Sequence, residues 1–323
     1  MVDTKPYQKN RTLNTPVLFL IFNRLSTTKD VLRSIKDVKP SKLYIASDGP
    51  RLYKEDESIK VDLVRKYVLS EINWECEVKT LFRKENLGCK YAVSSAITWF
   101  FDNEEQGIIL EDDCMPSQSF FWYCEELLNK YKHDFRVWHI SGNNFQKIDT
   151  KDNFSYHFSK FVHIWGWACW ADRWAKYDVE MKSYKHSDFL GIFKNIIDDP
   201  SESRYWSNIF QKVSKGKIDT WDYQWVYTSW RNHGLSVAPN VNLVSNIGFG
   251  EDATHTRDSD SEQANIYASD LVLPLKHPNQ IVRNVHADLF TAKNIFRDKN
   301  IVYKLFRRLF LEVKILVKRI MSS

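Results

Sequence analysis

No Cys-x-x-Cys pair occurs in this 323-residue chain, whose five cysteines are Cys76, Cys89, Cys114, Cys124 and Cys169. That spacing excludes the usual structural zinc sites. An odd cysteine count in so large a chain points to a reducing compartment rather than a disulfide framework. No uninterrupted apolar run approaches the roughly 20 residues of a membrane-spanning helix. The chain opens Met1-Val2-Asp3-Thr4-Lys5, without the apolar stretch of a secretory leader. The expectation is a soluble or peripheral protein on the cytoplasmic side. Internal repeats and low-complexity linkers are also missing. The net charge of +5 is too small to argue for nucleic acid as a partner.

What the chain has in quantity is aromatic side chains, with 12 Trp, 15 Tyr and 20 Phe. Such residues fill cores, and they also make flat platforms for sugar rings. With 43% hydrophobic and 27% charged residues the composition is globular, enough for one large domain or two coupled ones.

The first hundred residues alternate strand and helix patterns. Val17-Leu18-Phe19-Leu20-Ile21-Phe22 is an apolar run without alternation, which suits a strand buried on both faces. Ser26 or Thr27 is placed to cap a helix with Val31, Leu32, Ile35 and Val38 on its apolar face, stopped by Pro40. Leu43-Tyr44-Ile45-Ala46-Ser47 reads as a second strand ending in the turn Asp48-Gly49-Pro50. A helix with Leu63, Val64, Tyr67, Val68 and Ile72, a strand over residues 78–82 and a helix over 89–101 follow. Gly107-Ile108-Ile109-Leu110 is the fourth strand, with Glu111-Asp112-Asp113 directly after it. This alternation predicts a parallel α/β sheet, whose ligands sit beyond the carboxyl ends of the strands. The second half is less regular. Residues 137–141 read as a strand, 188–197, 203–213 and 222–232 as helices, 235–238 and 242–245 as strands, and 252–263 as a polar surface loop.

Carboxylates crowded at a strand end repel one another unless a cation compensates. Oxygen-rich sites of this kind suit Mg²⁺ or Mn²⁺, which can bridge to a diphosphate. A solvated acidic loop is the plainer alternative.

In their order, Phe22-Asn23-Arg24, Ser47-Asp48-Gly49, Asn86-Leu87-Gly88, Glu111-Asp112-Asp113, Trp165-Gly166-Trp167, Trp221-Asp222 with Trp225, and Asn246-Ile247-Gly248-Phe249-Gly250 resemble the motifs of GT-A glycosyltransferases. The resemblance spans roughly residues 15–256 and is nearest to the N-acetylglucosaminyltransferase I type. It extends to bacterial nucleotide-diphospho-sugar transferases of surface-polysaccharide pathways. It implies a Rossmann-like mixed sheet flanked by helices, and a metal contact from Asp113. It also implies that Asp112 lies near the ribose, Glu111 near the base or ribose, that Arg24 binds nucleotide and that Asp48 recognises the base. Lys84 or Arg83, ahead of the turn at Asn86, becomes a contact for nucleotide or phosphate. A carboxylate can accept from the N–H of a uracil, and a diphosphate needs cations.

Asp222 reads as a helix cap or, by the resemblance, as the general base of an inverting transfer. Trp165, Gly166 and Trp167 lie in an aromatic stretch that reads as core or as a sugar and acceptor platform, and Asn143 is a second candidate for lining that pocket. His255 could complete a manganese site, since neutral imidazole suits that ion. Residues 302–320 place Leu305, Phe306, Leu309, Phe310, Val313, Leu316, Val317 and Ile320 on one helical stripe among Lys and Arg. Such a stripe fits an anionic membrane surface or the body of a protein.

The expectation is therefore an N-terminal extension (1–14), a GT-A domain (15–296, with a nucleotide-binding half 15–115 and an acceptor half 116–296) and a basic amphipathic helix (297–323). Its partners are a nucleotide sugar, UDP-N-acetylglucosamine by analogy, and a glycan or lipid-linked acceptor. Its place is the inner face of the membrane. A sugar nucleotidyltransferase is the first alternative, though the loop after the first strand, Asn23-Arg24-Leu25-Ser26, lacks the glycine-rich phosphate-binding pattern. A non-enzymatic carbohydrate-binding or membrane-surface protein is the second, and it leaves the acidic triplet without a purpose.

Overall fold

The computed structural model describes residues 12–146, 154–249 and 266–296. Strand β1 (Val17–Ile21) is buried at every position, as an unbroken apolar run requires when helices cover both faces of a sheet. Helix α1 (Leu25–Val38) turns Val31, Leu32, Ile35 and Val38 inward, the three-and-four spacing of an apolar stripe. It starts without a side-chain cap, so neither Ser26 nor Thr27 caps it. Instead Thr28 Oγ1 donates back to the Arg24 carbonyl at 2.6 Å. Strand β2 (Lys42–Ser47), helix α2 (Glu57–Glu71), strand β3 (Glu77–Phe82), helix α3 (Gly88–Phe101) and strand β4 (Gln106–Glu111) complete the βα half.

The second half runs β5 (Cys114–Pro116), α4 (Gln118–Tyr131), β6 (Val137–Ser141), β7 (Tyr156–Ser159), β8 (Trp167–Trp170), α5 (Ala171–Trp174), α6 (Phe189–Phe193), α7 (Pro200–Ser214), α8 (Asp222–Arg231), β9 (Leu235–Pro239), β10 (Val244–Asn246) and α9 (Val285–Asn294). The helix expected over 188–197 is shorter than its pattern, and β5, α4, β7, β8 and α9 had no distinct signal.

Eight strands form one sheet in the order β3-β2-β1-β4-β8-β6-β9-β7. The first four are parallel. Strand β8 enters antiparallel between β4 and β6, β9 lies parallel to β6, and β7 closes the far edge antiparallel. The chain is thus an α/β protein with a mixed sheet flanked by helices, as the resemblance implies, and the parallel arrangement expected from the alternation holds for β3, β2, β1 and β4 while β8 and β7 run antiparallel. The sheet is continuous across residue 115, because β4 and β8 pair from Gln106↔Trp170 to Ile109↔Trp167.

Alternation along β1 divides the core. Val17, Phe19 and Ile21 pack with α1, α2 and α4, while Leu18 and Leu20 pack with α3, α7 and α8. The second layer holds Trp167, Trp174, Trp206, Trp221, Trp225 and Trp230. Fully burying a large apolar side chain is worth roughly 1.5–3 kcal/mol, so most tryptophans serve the core. Trp170 and Trp174, four apart, do not share a face: Trp170 packs in the first layer and Trp174 in the second. The chain changes from strand to helix at Ala171, so helical spacing does not apply across the pair. His255, the loop over 252–263 and the stripe over 302–320 lie outside the described residues.

Candidate functional site

Strands β1, β2, β3, β4, β6 and β9 run the same way, so their carboxyl ends line one edge of the sheet. Asn23-Arg24 follows β1, Asp48-Gly49 follows β2, Glu111-Asp112-Asp113 ends β4 and Gly142-Asn143 follows β6. The reversed strand β8 brings its starting end to the same edge, where the Gly166 carbonyl accepts from Gly142 N–H at 2.8 Å.

Arg24 and the acidic triplet meet directly. Arg24 Nη2 donates to Asp112 Oδ1 and, at 2.8 Å, to Asp113 Oδ2. Burial works against the guanidinium charge, but Asp112 and Asp113 outweigh it and hold the Arg24 pKa above its ordinary value. Burial pushes Asp112 up, an effect that Arg24 offsets in part. Glu111 is pushed up too, by burial and then by the charges of Asp113 and Asp112, with Asp222 adding to them. The loop after β10 closes the site from the other side: Ile247 N–H donates to the Asp113 carbonyl at 2.8 Å.

Asp48 acts as a clasp. Its carboxylate accepts from the backbone N–H of Gly49 (2.9 Å), Leu87 (3.0 Å) and Gly88 (3.2 Å). Two of these donors open α3, where backbone N–H groups lack helical partners. Burial raises the Asp48 pKa, and the three N–H groups work against that rise. Asn86 Nδ2 donates to the Gly49 carbonyl at 2.7 Å and tightens the same turn. Arg65 Nη2, bonded to the carbonyls of Asp48 (2.9 Å) and Arg83 (2.8 Å), ties together the ends of β2 and β3. Lys84 is exposed on the loop between β3 and α3.

Asp222 is the first residue of α8, and Trp221 holds the N-cap position without a side-chain cap. Asp222 is therefore not the cap. It is half-buried, accepts from Thr220 Oγ1, and lies close enough to Glu111 for the two negative charges to oppose each other. Cys89, in the first turn of α3, marks where these segments converge. Its thiol is pushed up by burial and then by Glu111, Asp222, Asp219 and Asp48. Asp219 accepts from Lys90 N–H at 3.1 Å. Neither Cys89 nor Asp219 stood out in the sequence, because only the docking of α3 brings them to the site.

Two candidates for the sugar pocket are corrected. Trp167 is fully buried, stacked at 5.0 Å on His139 and at 5.7 Å on Trp221, and no face of its indole is open to a sugar. Asn143 is 1% exposed, donates to the Val244 carbonyl at 3.2 Å and accepts from Trp165 N–H at 3.0 Å. Its amide fixes the loops around the site. Trp165 is half-buried and meets Phe145 and Phe249 edge-on at 5.3 and 5.7 Å. Gly166 adopts φ +67° beneath Val244, where a β-carbon would stand 2.8 Å from a methyl group.

Among the described residues, no three His, Cys, Asp or Glu side chains converge as a metal cage. Mg²⁺-type ions do not need one, since one or two carboxylates plus substrate phosphates suffice. Asp112 and Asp113 fit that pattern. They already hold a cationic group, and Asp112 Oδ2 is buried without a hydrogen-bond partner.

No protein-family model matches this chain, and neither does any curated protein. Solved structures resemble it in arrangement. A mannosyltransferase from Pyrobaculum calidifontis, PcManGT, in complex with GDP-Man and Mn²⁺, is 9% identical at a TM-score of 0.37, over 70% of this chain and 73% of that one. S. aureus TarS (1–349) is 9% identical at a TM-score of 0.37, over 68% and 71%. HddC from Yersinia pseudotuberculosis is 9% identical at a TM-score of 0.32, over 50% and 80%. At these values the functional reading rests on the chain's own residues.

Proposed function

We propose that this chain is a glycosyltransferase that moves a sugar from a nucleoside diphosphate sugar to an acceptor hydroxyl, with inversion at the anomeric carbon. One observation carries the reading. Arg24 and Asp112-Asp113, at the ends of adjacent strands, form a charged clamp whose neighbour Glu111 lies within electrostatic reach of Asp222. On this reading a clamp for a diphosphate stands near a second, separate carboxylate, that of Asp222.

Asp222 accepts the proton of the acceptor hydroxyl as that oxygen bonds to the anomeric carbon. The bond from that carbon to the diphosphate breaks, the nucleoside diphosphate leaves, and the proton ends on the carboxylate. Arg24 can hold the diphosphate by a fork of N–H donors. Mg²⁺ or Mn²⁺, held by Asp113 with Asp112 and, as the resemblance implies, His255, would stabilise charge on the leaving group when bound. Asp48, Asn86 and Lys84 border the space for base and phosphates, and Trp165 and Gly166 border the space for sugar or acceptor. A UDP-sugar is the first choice of donor, with UDP-N-acetylglucosamine favoured by the resemblance. A lipid-linked or surface glycan is the acceptor, reached at a cytoplasmic membrane face to which the basic stripe of residues 302–320 would bind.

The test is a thermal-shift screen against UDP-, GDP-, CMP- and dTDP-sugars with and without Mn²⁺, followed by product analysis. Release of nucleoside diphosphate with sugar transfer supports the reading. Release of pyrophosphate would make the chain a sugar nucleotidyltransferase, and absence of nucleotide binding would favour a carbohydrate-binding protein.

A further inference from the structure

A guanidinium already bridges the two carboxylates of the acidic pair. Arg24 Nη2 serves Asp112 Oδ1 and Asp113 Oδ2 at once, so both carboxylates are turned to one point. The arrangement is braced from several directions. The Arg24 carbonyl accepts from Thr28 N–H at 3.1 Å and from Thr28 Oγ1 at 2.6 Å, which fixes the residue to the start of α1. Gly248 presses on the guanidinium so closely that a β-carbon there would stand 2.6 Å from Nη1. The side chains of Arg24, Asp112 and Asp113 are 21%, 6% and 14% exposed, so water screens the contact poorly. A divalent ion cannot take the same two oxygens while the guanidinium remains, since the two cations would repel at contact distance. A diphosphate offers the guanidinium an equally suitable partner.

We propose that Arg24 is a resident counter-cation that closes the Asp112–Asp113 pair to a free divalent ion, so that the ion enters only together with a diphosphate that draws the guanidinium away. The inference rests on the donor-site reading above. Metal and diphosphate then bind with positive coupling, each raising the affinity of the other by the same factor. The arrangement also leaves Asp112 Oδ2 buried and unpartnered until that exchange takes place.

The experiment titrates Mn²⁺ alone into the full chain without nucleotide, following bound ion by electron paramagnetic resonance. Arg24→Gln removes the competing charge and is expected to bind Mn²⁺ on the order of tenfold tighter than wild type. Arg24→Lys is expected to fall between the two, because an ammonium is a point charge without a fork. Adding Asp113→Asn to Arg24→Gln should abolish the gain. Should Arg24→Gln fail to fold, Arg24→Lys alone decides. Affinity equal to or weaker than wild type in the folded variants, or no Mn²⁺ binding in any of them, overturns the proposal. These outcomes are separable from failure of the transfer reading, which is judged by nucleotide-sugar binding and turnover in the wild type.

Discussion

Gly248 packs against the Asp113 carboxylate so closely that a β-carbon added to it would stand 2.2 Å from Oδ2. Real β-carbons do not approach an oxygen that far, so the loop after β10 or the carboxylate must move. Gly248→Ala is therefore expected to cut transfer at least tenfold while the melting temperature changes little, because the loop lies outside the main sheet. Steady-state kinetics with a thermal melt check this, and wild-type kcat/KM in the variant would remove Gly248 from the site.

Asp222→Asn keeps the size of the side chain and an acceptor for Thr220 Oγ1, but not a base. Loss of a general base costs about 10²–10⁴ in turnover. The expected outcome is a kcat lowered by on the order of a hundredfold or more, with donor affinity nearly unchanged. Turnover near that of wild type, or a product that retains the donor's anomeric configuration, contradicts the assignment.

Asp48 separates stability from recognition. Asp48→Ala leaves the N–H groups of Gly49, Leu87 and Gly88 without their carboxylate acceptor, at an expected cost of roughly 1–3 kcal/mol. Asp48→Asn keeps an acceptor oxygen and should recover much of that stability. If Asp48 also reads the base, the Asn variant still binds donor weakly. Chemical denaturation and donor titration on the two variants distinguish the roles, and full donor affinity in Asp48→Asn confines the residue to the clasp.

His139 and His163 predict how the protein fails in acid. Trp225 Nε1 donates to His139 Nδ1 at 3.1 Å, and His139 Nε2 bonds the His163 carbonyl at 2.9 Å, so the ring is held neutral. Burial lowers both pKa values to about 3, against roughly 6.5 for an exposed imidazole. Between those values the unfolded chain binds protons that the folded one refuses, so stability present near pH 7 is lost as pH falls. Each histidine contributes a loss of roughly 2 kcal/mol between pH 7 and pH 5. His139→Gln, which keeps a donor and an acceptor, should flatten that fall by about one histidine's share. Denaturant unfolding at pH 7, 6 and 5 measures it, and an unchanged slope rules out the contribution.

Local pattern revealed the parts of this protein that local physics decides. The apolar runs of β1, β2 and β4 are unbroken because helices cover both faces, and a strand end followed by Glu111-Asp112-Asp113 marks the edge of the sheet where the charged residues gather. The start of α8 at Asp222 was equally legible. The direction of β8 was not, because a strand of four residues takes its orientation from its neighbours. Asn143 and Trp167 beside glycines resembled pocket residues in sequence, yet backbone groups and other rings consume them. Glu57 carried no local signal at all. It is 4% exposed, accepts from Asn23 Nδ2 at 2.9 Å across 34 residues of sequence and pairs with Arg51 only six residues away, so that it ties the loop after β1 to the loop after β2.

The reversed strand β8 also sets an order of assembly. Until residues 167–170 arrive, β4 exposes unpaired backbone along Gly107, Ile108 and Ile109, a sheet edge open to other chains. A chain emerging from the ribosome carries the whole acidic triplet more than fifty residues before the strand that covers it. The first 115 residues are therefore a poor candidate for a stand-alone nucleotide-binding module. A fragment cut before Trp167 should self-associate through β4, whereas one that keeps β8 has that edge sealed.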